Sequence, residues 1–313
     1  CNAFLPDIAP KEKIGRVSGY GWSFGYVGGL IALALGLLLF INPEIPIFNL
    51  DKSTHEHIRG TNIMVAIWFA VFSIPTFLFV NEDHRSGKKK TNLIADSIKQ
   101  VRETMRNVRQ YREMTRFLIA RLIYNDGLIT VFAFGGIYAA GTFDFSFQEI
   151  MIFAIVLNVA AGLGAFLMGF LDDFIGGKQT IQISNYGLIL ACIIAVVAPN
   201  RDLFNIALPI IGDTIISGKT LFWLSGILIG IFSGPNQASS RSLMARFVPQ
   251  GKENEFFGFF AFSGKATAFL GPFFLGYFTL LFNSQRYGIA VVLCLLVIGT
   301  ILLRSVDEEA GMA

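Results

Sequence analysis

Two ionisable residues of opposite charge, Asp126 and Lys265, lie inside long apolar stretches of this sequence. A charged side chain is costly in such surroundings and usually faces a polar cavity, a partner or a pathway. Each residue lies about nine positions after the start of its stretch, so two helices running in the same direction would place them at a similar depth, on the order of 14 Å. An ion pair is therefore geometrically permitted. Two interpretations stay open: a pair that exchanges partners or protons, and a static pair that only aligns two helices.

Other polar side chains accompany this pair within the apolar stretches or near their ends. They are Arg121, Tyr124 and Asn125 beside Asp126, and Asn236, Gln237 and Arg241 in another stretch. Such donors and acceptors are typical of a polar route through a bundle, and equally of hydrogen bonds that join helices.

A stripe of small residues gives a second pattern. Gly21, Gly25 and Gly29 recur every four residues along the first apolar stretch, and Ala161, Ala165 and Gly169 do the same along the fourth. Small residues at this spacing present a flat helix face, which predicts close approach of a neighbouring helix.

Eight apolar stretches contain these residues, and each is close to the length that a bilayer requires of a helix. A helix needs roughly 20 apolar residues to cross a hydrocarbon core of about 30 Å. The stretches run from about Trp22 to Ile41, Asn62 to Val80, Phe117 to Ala140, Gln148 to Leu171, Gln179 to Ala198, Lys219 to Ser240, Phe256 to Phe282 and Tyr287 to Leu303. They are continuous rather than alternating, which favours helices over a barrel.

Composition leads to the same fold class. Of all residues, 53% are hydrophobic and 15% are charged, whereas about 25% are charged in a typical soluble domain. The sequence therefore predicts an all-α, polytopic transmembrane helical bundle in a lipid bilayer. The net charge of +3 is too small to indicate a nucleic-acid partner.

The basic residues predict the orientation in the membrane, because loops rich in Lys and Arg stay on the cytoplasmic side. Lys11, Lys13 and Arg16 precede the first stretch, and the connector of residues 81–116 is strongly basic. This pattern predicts a cytoplasmic connector and cytoplasmic chain ends. The connector is predicted to be an amphipathic helix on the inner leaflet, with a regulatory or partner-binding role as the alternative.

The sequence offers no constellation for cofactor, metal or enzyme chemistry. Its three cysteines are scattered and indicate neither a disulfide framework nor a thiolate site. His55 and His57 flank Glu56, but nothing nearby completes a metal coordination sphere. There is no nucleophile constellation and no nucleotide-binding loop. We therefore expect no cofactor, no metal and no enzymatic activity, and an integral membrane enzyme is a rival class.

One inner loop has a recognisable signature. Residues 169–178 read Gly-Phe-Leu-Asp-Asp-Phe-Ile-Gly-Gly-Lys, which resembles the inner-loop signature of the major facilitator superfamily. Phe174 and Gly177 replace two arginines of that signature. The matching residues are Gly169, Leu171, Asp173, Gly176 and Lys178. In that superfamily the Asp caps and charge-pairs with neighbouring helix ends, so the resemblance implies an inner gate formed by Gly169, Asp173, Gly176 and Lys178.

Members of that superfamily have two six-helix halves joined by a long cytoplasmic connector. The resemblance implies that residues 1–80 form the last two helices of the N-terminal half and residues 81–116 the connector. Residues 117–304 would form the six-helix C-terminal half, and residues 305–313 a cytoplasmic tail. About eight of twelve helices are then present, so we expect an N-terminally truncated chain of the major facilitator type.

Longer stretches narrow the resemblance to one family. The vacuole-effluxer-like, autophagy-related family and its bacterial relatives are similar to this chain at Val17–Gly21, Tyr124–Gly127, Gln237–Ser242, Glu255–Lys265 and Val306–Glu309. The resemblance implies secondary active transport by alternating access, without a cofactor, of a small solute such as amino acids. Efflux is the activity attached to the fungal vacuolar members.

Further expectations follow from the same resemblance. The short loops are more similar to the bacterial relatives, which implies a multi-pass protein of the bacterial plasma membrane. Protons are a candidate coupling ion, and a monomer is expected. The alternative from another class is a membrane scaffold or sensor that transports nothing, which is based on the basic connector.

Overall fold

The computed structural model describes residues 2–79, 108–199 and 217–312. Residues 81–107 of the predicted connector lie outside the described residues. The chain divides into two compact units, one made of Asn2–Phe24 with Thr104–Ala313 and the other of Gly25–Glu103.

Long helices account for most of the described residues. They are α1 (Ile14–Gly36), α2 (Glu56–Phe79), α3 (Arg112–Phe143), α4 (Phe147–Ile175), α5 (Gly177–Val197), α6 (Gly218–Phe247), α7 (Glu253–Ser263), α8 (Leu270–Leu281) and α9 (Gln285–Arg304). A π-helical turn, Leu37–Ile41, continues α1. One-turn α-helices cover Leu5–Ile8 and Glu308–Met312, and 3-10 turns cover Asn2–Phe4, Lys11–Lys13, Ile47–Asn49 and Val108–Tyr111. The predicted all-α fold is confirmed, and each predicted stretch except the seventh corresponds to one helix.

Six helices within the described ranges are long and apolar enough to cross a membrane. They are α1 with its flanking turns, α2, α3, α4, α5 and α9. Within its own unit, α2 leaves its apolar side chains exposed, with Phe69 and Phe77 at 75% and 84% of their full accessibility. Apolar side chains on the outside of a helix are what a hydrocarbon solvent requires.

The seventh predicted stretch, Phe256 to Phe282, is broken in the middle. α7 ends at Ser263, the turn residues Gly264–Phe269 follow, and α8 begins at Leu270; we call these turn residues the helix break. A physical cause lies in the sequence, because Pro272 has no N–H group and cannot bond the carbonyl four residues before it. Two half-helices therefore replace the single span that the apolar run predicts.

Close packing between α4 and α6 organises the unit that contains α3 to α9. Ala161 and Ala165 of α4 are fully buried. A Cβ atom added to Gly234 of α6 would lie 2.1 Å from the carbonyl oxygen of Ala161, and one added to Gly164 would lie 2.1 Å from that of Ile231. The small-residue stripe predicted on α4 is therefore confirmed as a face of close helix approach. On α1, no described residue lies within 4 Å of a Cβ added to Gly25 or Gly29, so close approach is not observed there.

This packing predicts a difference between two Gly→Ala substitutions. Gly234→Ala should destabilise the protein by about 1–3 kcal/mol, because a backbone carbonyl has to move away from the added methyl group. Gly258→Ala is the matched control, since nothing lies within 4 Å of a Cβ added there and alanine favours a helix interior. Thermal unfolding of the detergent-solubilised variants measures both effects, and equal unfolding temperatures would contradict the packing argument.

Candidate functional site

The helix break is bound to α3 through Arg121. Its Nη1 donates to the carbonyl oxygen of Phe260 at 2.7 Å and to Oγ of Ser263 at 2.9 Å. The guanidinium carbon also lies 3.7 Å from the centre of the Phe260 ring. A cation at this place complements the partial negative charge at the C-terminal end of α7.

The next turn of α3 binds the other side of the break. Asn125 Nδ2 donates to the carbonyl oxygen of Gly264 at 2.9 Å. The Oδ2 atom of Asp126 accepts the backbone N–H of Gly271 at 3.1 Å, in the first turn of α8. An anion at a helix N-terminus is the favourable arrangement, so the charges of Arg121 and Asp126 match the dipoles of the two half-helices.

The ion pair expected between Asp126 and Lys265 is not formed. Among the described residues, no salt bridge within 4.0 Å includes either side chain. Lys265 lies exposed in the helix break, whereas Asp126 is 2% exposed. The break is the physical reason, because it brings the N-terminus of α8 to the Asp126 carboxylate and a backbone N–H is the donor there.

A buried hydrogen-bonded seam joins α3, α5 and α6. Gln237 Nε2 donates to Oδ1 of Asn125 at 2.8 Å, and the hydroxyl groups of Tyr124 and Ser240 lie 2.8 Å apart. The residue before Gln237 on α6 contacts α5, since Asn236 Nδ2 donates to Oδ1 of Asn185 at 2.7 Å. Tyr124 and Asn236 are fully buried, so in this conformation they join helices. Their place on a solute pathway stays a prediction.

Arg241 binds α1 and lies away from the helix break. Its Nε donates to Oγ of Ser18 at 2.9 Å, and its Nη2 donates to the Ser18 carbonyl at 2.6 Å. The Ser18 hydroxyl in turn donates to the carbonyl of Ala238 at 2.6 Å. Two of the stretches that indicated the family, Val17–Gly21 and Gln237–Ser242, therefore contact each other.

The signature residues 169–178 cover the last turns of α4, Gly176 and the start of α5, at the end of the bundle that the sequence predicts to be cytoplasmic. Asp173 accepts the backbone N–H groups of Gly15 at 2.7 Å and Arg16 at 3.3 Å, and it pairs with Arg16 Nε at 2.6 Å. Asp173 therefore caps the first turn of α1, the kind of contact that the superfamily resemblance implies. That this contact acts as a gate stays a prediction.

The other residues of the predicted gate lie in the same place. Gly169 packs against α1, since an added Cβ would lie 3.2 Å from the Cα of Arg16. Gly176 has φ 93°, a left-handed backbone conformation that favours glycine. Lys178 Nζ donates to the carbonyl of Arg304 at 3.2 Å, at the C-terminal end of α9.

Sequence reasoning missed the charged centre of this region. Asp172 and Arg246 form a buried ion pair at 2.7 Å, and Arg246 also reaches Glu308 at 3.4 Å. Glu308 accepts the backbone N–H groups of Gly177 and Lys178, both at 2.9 Å, and so caps α5. We call Arg16, Asp172, Asp173, Arg246 and Glu308 the inner charge network.

The sequence contained one signal for Arg246. Phe174 and Gly177 replace two arginines of the signature, which indicates that another part of the chain supplies a cation. A Cβ added to Gly177 would lie 2.9 Å from Arg246 Nη1. The glycine that replaces a signature arginine therefore leaves room for an arginine from α6, and the cation is supplied by another helix. The stretch Val306–Glu309, which contains Glu308, was a signal too, although it indicated only the family.

No group of three metal-binding side chains occurs in the part of the chain that the structure describes. The geometry instead consists of charged and amide side chains at helix ends inside a bundle of apolar helices. This is chemistry for binding helix ends.

Comparison with known proteins identifies the family. The family model described as "Vacuole effluxer Atg22 like" matches residues 7–313. The chain belongs to this family.

Its relatives are bacterial and fungal. An uncharacterized transporter of the major facilitator type from Bacillus subtilis, YxiO, is 26% identical over 311 residues, which cover 99% of this chain and 67% of that protein. Autophagy-related protein 22 of Cryptococcus neoformans is 25% identical over 301 residues, 95% of this chain and 51% of its own length. The same protein of Kluyveromyces lactis is 23% identical over 308 residues, covering 96% and 59%.

The chain therefore spans two thirds of the bacterial relative and about half to three fifths of the fungal ones. Its apolar helices and its family make it an integral membrane protein of a transporter family of the major facilitator type. The name of the bacterial relative describes a transporter, and the family description names an effluxer.

The inner charge network predicts a large effect of one substitution. Arg246→Met should destabilise the protein by about 3–5 kcal/mol, because it leaves the carboxylate of Asp172 buried without its partner. Adding Asp172→Asn should recover part of this loss. Lys219→Met is the matched control, since it breaks a half-exposed pair with Glu149 that stabilises little. Thermal unfolding in detergent compares the three variants, and an equal loss in Arg246→Met and Lys219→Met would contradict the prediction.

Proposed function

We propose that this protein is a secondary active transporter that moves a small solute by alternating access between two helical halves. The supporting family evidence is the vacuole-effluxer match and the transporter relative. In this proposal, residues 1–80 provide two helices of one half and residues 117–304 the six helices of the other, with 81–116 as the cytoplasmic connector and 305–313 as the tail.

The observation that carries the proposal is the set of contacts between the start of α1 and helices α4 and α6. Asp173 caps α1, and Arg241 binds Ser18. The side chain of Arg16 keeps 35% of its accessibility while paired with Asp173. Polar contacts at a partly solvated interface are worth little individually, so they break and reform readily. Such contacts suit an inner gate that closes while the solute site faces the other side.

The proposed solute is an amino acid, and the proposed direction is export. The exposed ammonium group of Lys265 in the helix break suits a solute carboxylate. The other residues proposed for the pathway lie on α3, beside the break, or on α6. They are Arg121, Tyr124, Asn125, Asp126, Asn236, Gln237 and Arg241. We further propose a monomer in the bacterial plasma membrane.

The direct test is transport by the full-length protein in proteoliposomes. A panel of radiolabelled amino acids, each assayed with and without a proton gradient, should include at least one that the protein moves and that protein-free vesicles do not. Lys265→Gln should reduce that transport, because the proposed cation for the carboxylate is lost. If no solute moves, the scaffold or sensor alternative is favoured.

The proposed gate predicts a change in accessibility at its centre. In a variant without other cysteines, Ala238→Cys should react slowly with a membrane-impermeant maleimide from the cytoplasmic side, because Ala238 is 1% exposed. Adding Asp173→Asn should increase the labelling rate, since the charge that caps α1 is lost. Glu149→Gln, which removes a carboxylate at the other end of α4, is the control and should leave the rate unchanged. Unchanged labelling in Asp173→Asn would contradict the gate.

A further inference from the structure

One carboxylate oxygen of Asp126 accepts no hydrogen bond from the described residues. Its Oδ2 atom accepts the N–H of Gly271 at 3.1 Å, whereas its Oδ1 atom is buried and has no hydrogen-bond partner among the described residues. The residue as a whole is 2% exposed. A buried carboxylate normally has its lone pairs satisfied by donors or cations, so Oδ1 is a vacant binding position.

The charged groups around this oxygen leave it uncompensated. Arg121, on the same helix, donates to the carbonyl of Phe260. Lys265, in the helix break, is exposed and forms no ion pair among the described residues. On the opposite side, α9 presents Leu295 and Leu296 to the neighbouring Gly127. Towards α6, the nearest contacts of this turn are neutral, an amide through Asn125 and a hydroxyl through Tyr124.

The ligand that fits this position is a proton. A metal cation needs several oxygen ligands, and no group of three His, Cys, Asp or Glu side chains that could hold one occurs among the described residues. A proton needs one oxygen. We propose that Asp126 binds the coupling proton of the transport cycle and that the half-helix α8 responds to its protonation; this inference rests on the proposed transport function.

The response of α8 follows from the different roles of the two oxygen atoms of the Asp126 carboxylate. When Asp126 is ionised, its charge attracts the N-terminus of α8 through the Gly271 N–H. A proton taken from water onto Oδ1 removes that charge and leaves a neutral acid, whose remaining oxygen is a weaker acceptor. Because the helix break separates α8 from α7, α8 is then free to shift relative to α3 without α7. Release of the proton to water restores the original contact.

The test uses Asp126→Asn in the full-length protein. Asparagine keeps the shape and an oxygen that accepts the Gly271 N–H, but it binds no proton at neutral pH. We expect loss of accumulation driven by a proton gradient, and loss of the pH dependence of solute exchange. Asp144→Asn is the matched control, because this residue lies at the end of α3 with φ 52°, a conformation that asparagine tolerates. The control should keep both properties.

A second pair of measurements does not depend on solute movement. The other carboxyl groups give carboxylic-acid bands that grow as pH falls in both proteins. The infrared difference spectrum between the native protein and Asp126→Asn should contain one further carboxylic-acid component, which belongs to the native protein alone. The amide I band of the same spectra reports whether the variant keeps its helices. The thiolate is the reactive form of a cysteine, so a cysteine placed at Ala268, in the helix break, should be labelled faster at higher pH in both backgrounds. The ratio of the native rate to the Asp126→Asn rate removes this common effect, and it should change with pH if Asp126 binds the proton.

The outcomes separate this inference from the proposed function. Proton-driven accumulation by Asp126→Asn equal to that of the native protein would overturn the inference and leave transport intact. Accumulation driven by a sodium gradient and not by protons would overturn it as well. If the native protein moves no solute, the proposed function fails, and an infrared difference spectrum without the further component would then overturn the assignment of the proton to Asp126.

Discussion

The bundle depends on satisfying backbone groups where the seventh apolar span is interrupted. A helix end leaves several N–H or carbonyl groups without intrahelical partners, and in an apolar environment each such group is costly. The break between α7 and α8 creates two such ends in the middle of the fold. Three polar residues on α3 bind both ends, with Arg121 at the C-terminus of α7 and Asp126 at the N-terminus of α8.

The same principle organises the inner end of the bundle. Asp173 caps α1, and Glu308 caps α5. Arg246 lies between these carboxylates and Asp172, and it is provided by α6. Charges at helix ends therefore bind one helix to another at two depths. This arrangement allows a bundle with apolar outer surfaces to contain buried charge, because most of that charge complements a helix dipole or an opposite charge.

The sequence predicts the helices well, because the length and apolarity of a span are local properties that the thickness of the bilayer sets. It does not predict the break at Gly264–Phe269, since an apolar run with one proline is also compatible with a kinked, continuous helix. The predicted ion pair between Asp126 and Lys265 was wrong because the break was not foreseen. A similar depth permits a pair, but the N-terminus of α8 provides a competing donor. Arg246 was missed because its partners are distant in sequence, and only the folded chain places it beside Gly177.

Asp126 and Asp173 illustrate how similar caps acquire different chemistry. Both carboxylates accept backbone N–H groups from the first turn of a helix. Asp173 has two arginines within 4 Å, Arg16 and Arg246, so it belongs to a charge pair. Asp126 has no such partner, and one of its oxygen atoms is buried without a donor. The two caps are therefore suited to different tasks: Asp173 to a charge pair that forms and breaks with the position of α1, and Asp126 to a change of charge that moves α8.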